Sequence, residues 1–211
     1  MVVTASRAGA PKPPGTGPSG PPGRVGVRMG VVTTGSGDFD LTMDELRAVA
    51  RFALHSADEV LPVFESAHRD DARPRAAVDA ARAFVDGERR TKLQRVTSLD
   101  AHRAAREADA EPARLAARAA GDAASAAYLH PIAKATQVGH ILRAAASAAR
   151  VGELLTGDDP AVGLALIEEA RLRATPTVID VLNRYPLAPT GKNRTAQLMS
   201  LLDASLRRDR R

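Results

Sequence analysis

Chemistry in a protein needs titratable, nucleophilic or metal-binding side chains held at useful spacing. This chain has five histidines and no cysteine. The missing cysteines remove thiol nucleophiles, disulfides and any Cys-ligated zinc site. Two sets of polar residues remain. His130, Lys134, Gln137 and His140 recur at helical spacing and, apart from His140, fall with apolar neighbours rather than on a polar stripe. Polar groups on a buried face must find partners. The set reads either as a polar pocket or partner-binding notch, or as bonds tying neighbouring helices together, with His130 on backbone at a helix junction. Lys92, Arg95, His102 and Arg106 form the second set, a basic stripe that includes Leu99 and is flanked by Arg103. It reads either as a face docking an acidic partner by charge complementarity or as a solvated helix face. Leu93, Val96, Ala104 and Ala108 lie roughly opposite. Asp100 falls on that apolar side with Thr97 and is expected to pair with an Arg from another helix. His55 and His68 stand near helix ends and take no role.

Several catalytic signatures fail on context. Gly15-Thr16-Gly17-Pro18-Ser19-Gly20 has the dinucleotide spacing but follows no strand and lies in a Pro-rich segment. Gly191-Lys192 evokes a phosphate-binding loop, yet Pro186 replaces its first Gly and Asn193 its magnesium-binding hydroxyl. There is no zinc-binding His-Glu-x-x-His and no Gly-x-Ser-x-Gly elbow. No carboxylate pair or activated nucleophile stands out. No catalytic residue, cofactor or metal is therefore expected. An enzyme using the histidines would need His102, His130 and His140 to converge in one pocket.

The elements that must position these residues are helices. Asp71-Ala72-Arg73-Pro74 and Asp109-Ala110-Glu111-Pro112 each open an alanine-rich stretch, and Asp158-Asp159-Pro160 opens another. An acidic cap with proline in the first turn is a helix start, and a repeat near 38 residues suits stacked hairpins. Thr42 and Glu45 form a capping box. Ser56 and Glu59 repeat it with Pro62 one turn later, so the first helix either kinks there or gives way to a second near Ala57. Further helices are expected over Pro74–Asp86, ending at Gly87, and over Glu88–Ala108, Pro112–Tyr128 and Pro131–Leu155. Pro160–Ala174, a short one from Thr175-Pro176 to before Tyr185-Pro186, and Arg194–Leu206 complete the set. In the long helix from Pro131, Thr136, His140, Arg143, Ser147 and Arg150 form a polar stripe. Val138, Ile141, Leu142, Ala145 and Ala149 form its apolar face. No alternating β pattern follows residue 40.

Composition agrees with this reading. Apolar residues make up 44% and aromatics only 3%, so the core must be built from Ala, Leu and Val. Alanine favours helix and lets helix axes approach closely. The predicted fold class is all-α, a stack of antiparallel helical hairpins resembling a solenoid-like bundle. Residues 1–38 carry six of the 14 prolines and nine of the 16 glycines and are expected to be a disordered tail. Met29 is the expected natural start. Residues 39–206 are expected to be a single helical domain, followed by a basic C-terminal tail at 207–211. The net charge of +5 sits in the two ends, because 39–206 carry 22 basic and 23 acidic residues. A near-neutral body with few aromatics argues against nucleic acid as partner. No membrane span or signal peptide is evident, so a cytoplasmic protein is expected.

Three stretches resemble the Imm-five-like immunity proteins of bacteria, especially actinobacteria. They are Leu41-Thr42-Met43-Asp44-Glu45-Leu46-Arg47, Arg89-Arg90-Thr91-Lys92-Leu93-Gln94-Arg95 and the run from Tyr128-Leu129-His130-Pro131 through Ala133-Lys134-Ala135-Thr136-Gln137 to His140-Ile141. The likeness covers about residues 33–206. It implies an all-helical protein that neutralises a cognate toxin by binding it stoichiometrically. Some relatives carry the label of the exonuclease subunit SbcC, an ATPase with a long coiled coil. This chain has neither a phosphate-binding loop nor sustained heptads. A helical scaffold or adaptor without a toxin partner is the alternative, followed by an enzyme or nuclease-associated protein.

Overall fold

Two start signals alternate along the first half of the chain and set up two hairpins. A computed structural model describes residues 39–208. The first hairpin is α1 (Met43–Ala67) and α2 (Arg73–Val85); the second is α3 (Lys92–Glu107) and α4 (Glu111–Ser125). Both α1 and α3 begin with a complete capping box, Thr42 with Glu45 and Thr91 with Gln94. Both α2 and α4 begin with proline in the first turn. After α4 the chain makes two short 3-10 turns, Ala126–Tyr128 and Ala135–Gln137, and enters α5 (Val138–Leu155). The remaining helices are α6 (Pro160–Arg173), α7 (Pro176–Leu182) and α8 (Arg194–Arg208). The described residues are all-helical with no strand, as the sequence predicts. The expected tail at 1–38 and the last three residues of the basic tail lie outside the described residues.

Consecutive helices from α1 to α6 pack on one another, and α4 also packs on α1 and α2. Helix α4 can touch so many neighbours because its buried surface is almost entirely Ala113, Ala116, Ala117, Ala119, Ala120, Ala123 and Ala124. Methyl side chains bring helix axes to the short end of the usual spacing of about 8–10 Å. Larger side chains on α1 and α2, including Leu61, Phe64 and Phe84, fill the remaining space. Helix α5 continues the scheme with Ala144, Ala145, Ala146, Ala148 and Ala149 and is covered by α6 and α8.

Several local expectations need correction. Helix α1 runs unbroken through Pro62. Pro62 is exposed, so water can take the Asp58 carbonyl that loses its helical donor. Asp71 and Asp109 stand one residue before the caps, which are Ala72 and Ala110 without a side-chain cap bond; Asp159 does cap α6, accepting from the Ala161 amide at 2.9 Å. The helix after Gly87 starts at Lys92, because Thr91 takes the cap. Gly87 itself, at φ 110°, supplies the left-handed residue that ends the α2 region. The long helix starts at Val138, seven residues after Pro131. Residues 129–134 instead form an irregular segment held by short-range backbone bonds such as Ile132 to His130 at 2.9 Å.

Candidate partner face and the Asp122 cluster

Helix α3 is amphipathic in an unusual sense. It buries Gln94, Thr97, Ser98, Ala101, Ala104 and Ala105, and it exposes its large apolar residues. Leu93, Val96 and Leu99 are 50%, 49% and 51% exposed. Lys92, Arg95, Arg103 and Arg106 stand exposed around them on the same helix. Leu93 and Val96, expected opposite the basic stripe on a core-facing side, are therefore on the surface. The reason is the neighbour: α4 offers an alanine face and Gly121, which accept only small or hydrogen-bonding side chains. Ser98 Oγ donates to the Gly121 carbonyl at 2.8 Å, and Gln94 Nε2 donates to the Ala80 carbonyl at 3.1 Å. Asp100 pairs with Arg103 of its own helix at 2.5 Å rather than with another helix. Among the described residues Lys92, Arg95 and Arg106 take no ion pair, so their charge faces outward. The start of α3 is anchored by Tyr128, whose hydroxyl donates to the Thr91 carbonyl at 2.7 Å, and by Arg90, which donates to the Ala127 carbonyl at 3.1 Å.

Beneath this face one residue of each polar set, His102 and His140, comes near Asp122 of α4, whose side chain is fully buried. Arg143 of α5 grips it through one guanidinium edge, Nε to Oδ2 at 2.8 Å and Nη2 to Oδ1 at 2.6 Å. His102 Nε2 of α3 lies 3.6 Å from the same Oδ1. The His102 ring reaches this depth because Gly121 has no side chain; a Cβ there would stand 2.9 Å from the ring. Ser125 Oγ donates to the Asp122 carbonyl at 2.9 Å and lies 2.9 Å from His140 Nδ1. The hydroxyl has one proton, so it accepts from Nδ1, which fixes the neutral His140 tautomer with its proton on Nδ1. Burial pushes both His102 and His140 below their ordinary value of 6.5; Asp122 opposes this and Arg143 adds to it. Asp122 holds Arg143 above the ordinary arginine value. The cluster thus keeps two neutral imidazoles around one buried ion pair, and it locks α3, α4 and α5 together.

The other candidates fall elsewhere. His130 and Lys134 are exposed on the irregular segment before α5, so Lys134 does not project from a buried helix face. Gln137 holds that segment, its Oε1 accepting from the His130 amide at 3.0 Å, while the Tyr185 hydroxyl donates to the His130 carbonyl at 2.8 Å. His130 does serve a junction, through its backbone. The three-histidine pocket that catalysis by histidine would need does not form: His102 and His140 lie near Asp122, and the His130 side chain is exposed. No group of three or more His, Cys, Asp or Glu suited to a metal ion occurs among the described residues. No helix among them is long and apolar enough to cross a membrane. Asp122 itself escaped sequence reasoning, although a signal existed. It shares a helical face with Leu115, Ala119 and Ala126, all buried, and a lone carboxylate on an apolar stripe demands a cation.

Fold and site together define an all-helical protein whose helix α3 turns apolar and cationic side chains outward and is braced from behind by the Asp122–Arg143 ion pair. Residues 40–159 match the family described as Imm-5 like putative immunity protein, over more than half of the chain, and the chain belongs to that family. The match spans α1–α5 and includes all eight candidate binding residues. No curated protein and no solved structure matches the chain.

Proposed function

We propose that this protein is an immunity protein that binds a cognate toxin one-to-one and neutralises it by covering its working surface, with the exposed face of α3 as the docking site. The family supports a toxin partner in general. The observation that carries the particular reading is the exposure of Leu93, Val96 and Leu99 among Lys92, Arg95 and Arg106. Apolar side chains left half in water on a helix that buries serine, threonine and glutamine are a surface kept for a partner. Completing their burial supplies roughly 1 kcal/mol each. The surrounding cations steer an acidic patch into place and fix its register. Occlusion of this kind requires no catalytic group. His130 and Lys134 form a second exposed set and are candidate edge contacts. His102, Gln137 and His140 act from behind, holding α3 and the segment before α5 in position.

The experiment is capture of the protein that the wild-type chain binds in its host, followed by co-expression of the two. The wild-type chain should restore growth, and Arg95→Glu with Leu99→Glu should not, while circular dichroism shows the variant still folded. Protection that survives this double substitution would refute the α3 assignment. Failure of the wild-type chain to bind or protect would refute the immunity reading.

A further inference from the structure

A second feature lies away from the α3 face, outside the family match at its α8 side. Helices α4 and α5 and the start of α8 line an open cavity of about 250 Å³. Arg114 and Arg118 of α4, Arg150 of α5 and Arg194 of α8 line it, with Thr195 and a single acidic residue, Glu111. Four guanidinium groups around one small space repel each other unless carboxylates compensate. Glu153, buried beneath, takes Arg194 at 2.6 Å and Arg150 at 2.9 Å, and Asp158 also pairs with Arg150. Those carboxylates serve only two of the four. Among the described residues Arg114 and Arg118, one turn apart on α4, take no ion pair and no side-chain hydrogen bond. Arg150 Nε is buried without a hydrogen-bond partner; its nearest carboxylate oxygen, on Glu111, is 3.8 Å away. At the α8 end, Asn193 accepts from the amides of Ala196 at 2.8 Å and Gln197 at 3.1 Å. The amides of Arg194 and Thr195 remain, as the first orphan donors of a helix do.

We propose that this cavity is a binding site for a phosphate group, carried by inorganic phosphate or by a small phosphomonoester. Unpaired guanidinium groups, an orphaned Arg150 Nε–H, the Thr195 hydroxyl and two helix-end amides are donors in excess, and they suit an anion with three or four acceptor oxygens. Arginine forks bind phosphate oxygens in pairs. The α8 terminus adds a favourable dipole. The cavity holds the volume of about eight waters, room for a phosphate and a few attached atoms. Gly191-Lys192 leads into this site without forming a phosphate loop of its own. A bound anion would fasten α8 to α4 across Arg194.

The test uses the full chain and inorganic phosphate, with glycerol phosphate as the monoester probe and chloride at matched ionic strength as the control. Calorimetry and the rise in Tm should show saturable binding of at least one of the two. Tighter binding of one over the other identifies the source. Arg114→Gln with Arg118→Gln should weaken the affinity at least tenfold, while Arg69→Gln, at an exposed arginine outside the cavity lining, should leave it unchanged. Both cavity arginines are half-buried and unpaired, so the fold should persist, which protection against the toxin would also show. Absence of saturable binding by either probe, or binding that survives the double substitution, would overturn the proposal.

Discussion

Removing Arg143 should destabilise the protein more than neutralising Asp122, and the excess should shrink as the pH falls. Asp122 is fully buried, whereas the Arg143 side chain is 37% exposed. Arg143→Met keeps much of the packing volume but leaves the carboxylate beside a neutral imidazole, His102 Nε2 at 3.6 Å. Stranding one member of a buried pair costs about 3–5 kcal/mol. Burial and Arg143 hold the His102 imidazole down and Asp122 raises it, so once Arg143 is gone His102 takes up a proton more readily and compensates the carboxylate as the pH falls. The penalty is therefore about 3–4 kcal/mol at pH 7 and smaller at pH 5. Asp122→Asn retains an acceptor for one guanidinium bond, and Arg143 can turn to water, so about 1–2 kcal/mol is expected with little pH dependence. Urea denaturation at the two pH values measures both. With a slope near 2 kcal/mol/M, the Arg143 variant should lose about 1.5–2 M in midpoint at pH 7. Equal losses for the two variants, or an Arg143→Met penalty that grows toward pH 5, would refute the view that a buried charge on Asp122 is what Arg143 compensates.

Wild-type stability should fall on acidification below about pH 6.5, before the carboxylates titrate. Both His102 and His140 lie below the ordinary 6.5, so the unfolded chain binds more protons there and the slope of stability with pH is positive. His102→Gln with His140→Gln should flatten that step in a pH series of urea midpoints. A second loss should follow below pH 4.5, where Glu153, held low by Arg194 and Arg150 against its burial, and Glu45, held low by Arg184, take up protons. Glu153→Gln should cost about 2–4 kcal/mol at pH 7, since it leaves Arg150 and Arg194 sharing one buried site without their common carboxylate; a neutral result by denaturation would contradict this. Leu99→Glu alone should change stability by no more than about 0.5 kcal/mol, because the side chain is half in water, yet weaken partner binding at least tenfold.

Helix identity was readable in the residues because caps and alanine runs act locally. Thr42 with Glu45, Asp159 before Pro160 and Gly87 after α2 each mark an end that the structure keeps. The failures come from tertiary context. Pro131 looks like a helix start, but Tyr185 and Gln137 occupy the backbone of His130 and hold the next stretch irregular until Val138. Leu93 and Val96 look like core residues by type, yet α3 faces an alanine wall on α4 that admits Ser98 and Ala101 and pushes leucine outward. The basic stripe was legible as a pattern. Its apolar component was visible only at Leu99, and the brace at Asp122 only as a lone carboxylate on an apolar stripe, since its partners come from helices 20 or so residues away in sequence.

The most direct measurement of the central claim is growth of cells that express the partner captured by the chain together with wild-type chain, with Arg95→Glu/Leu99→Glu, or with Arg114→Gln/Arg118→Gln. The account predicts growth with the wild type and with the cavity variant, and arrest with the α3 variant at equal protein level. Growth with all three would contradict docking on α3, and arrest with all three would contradict immunity itself.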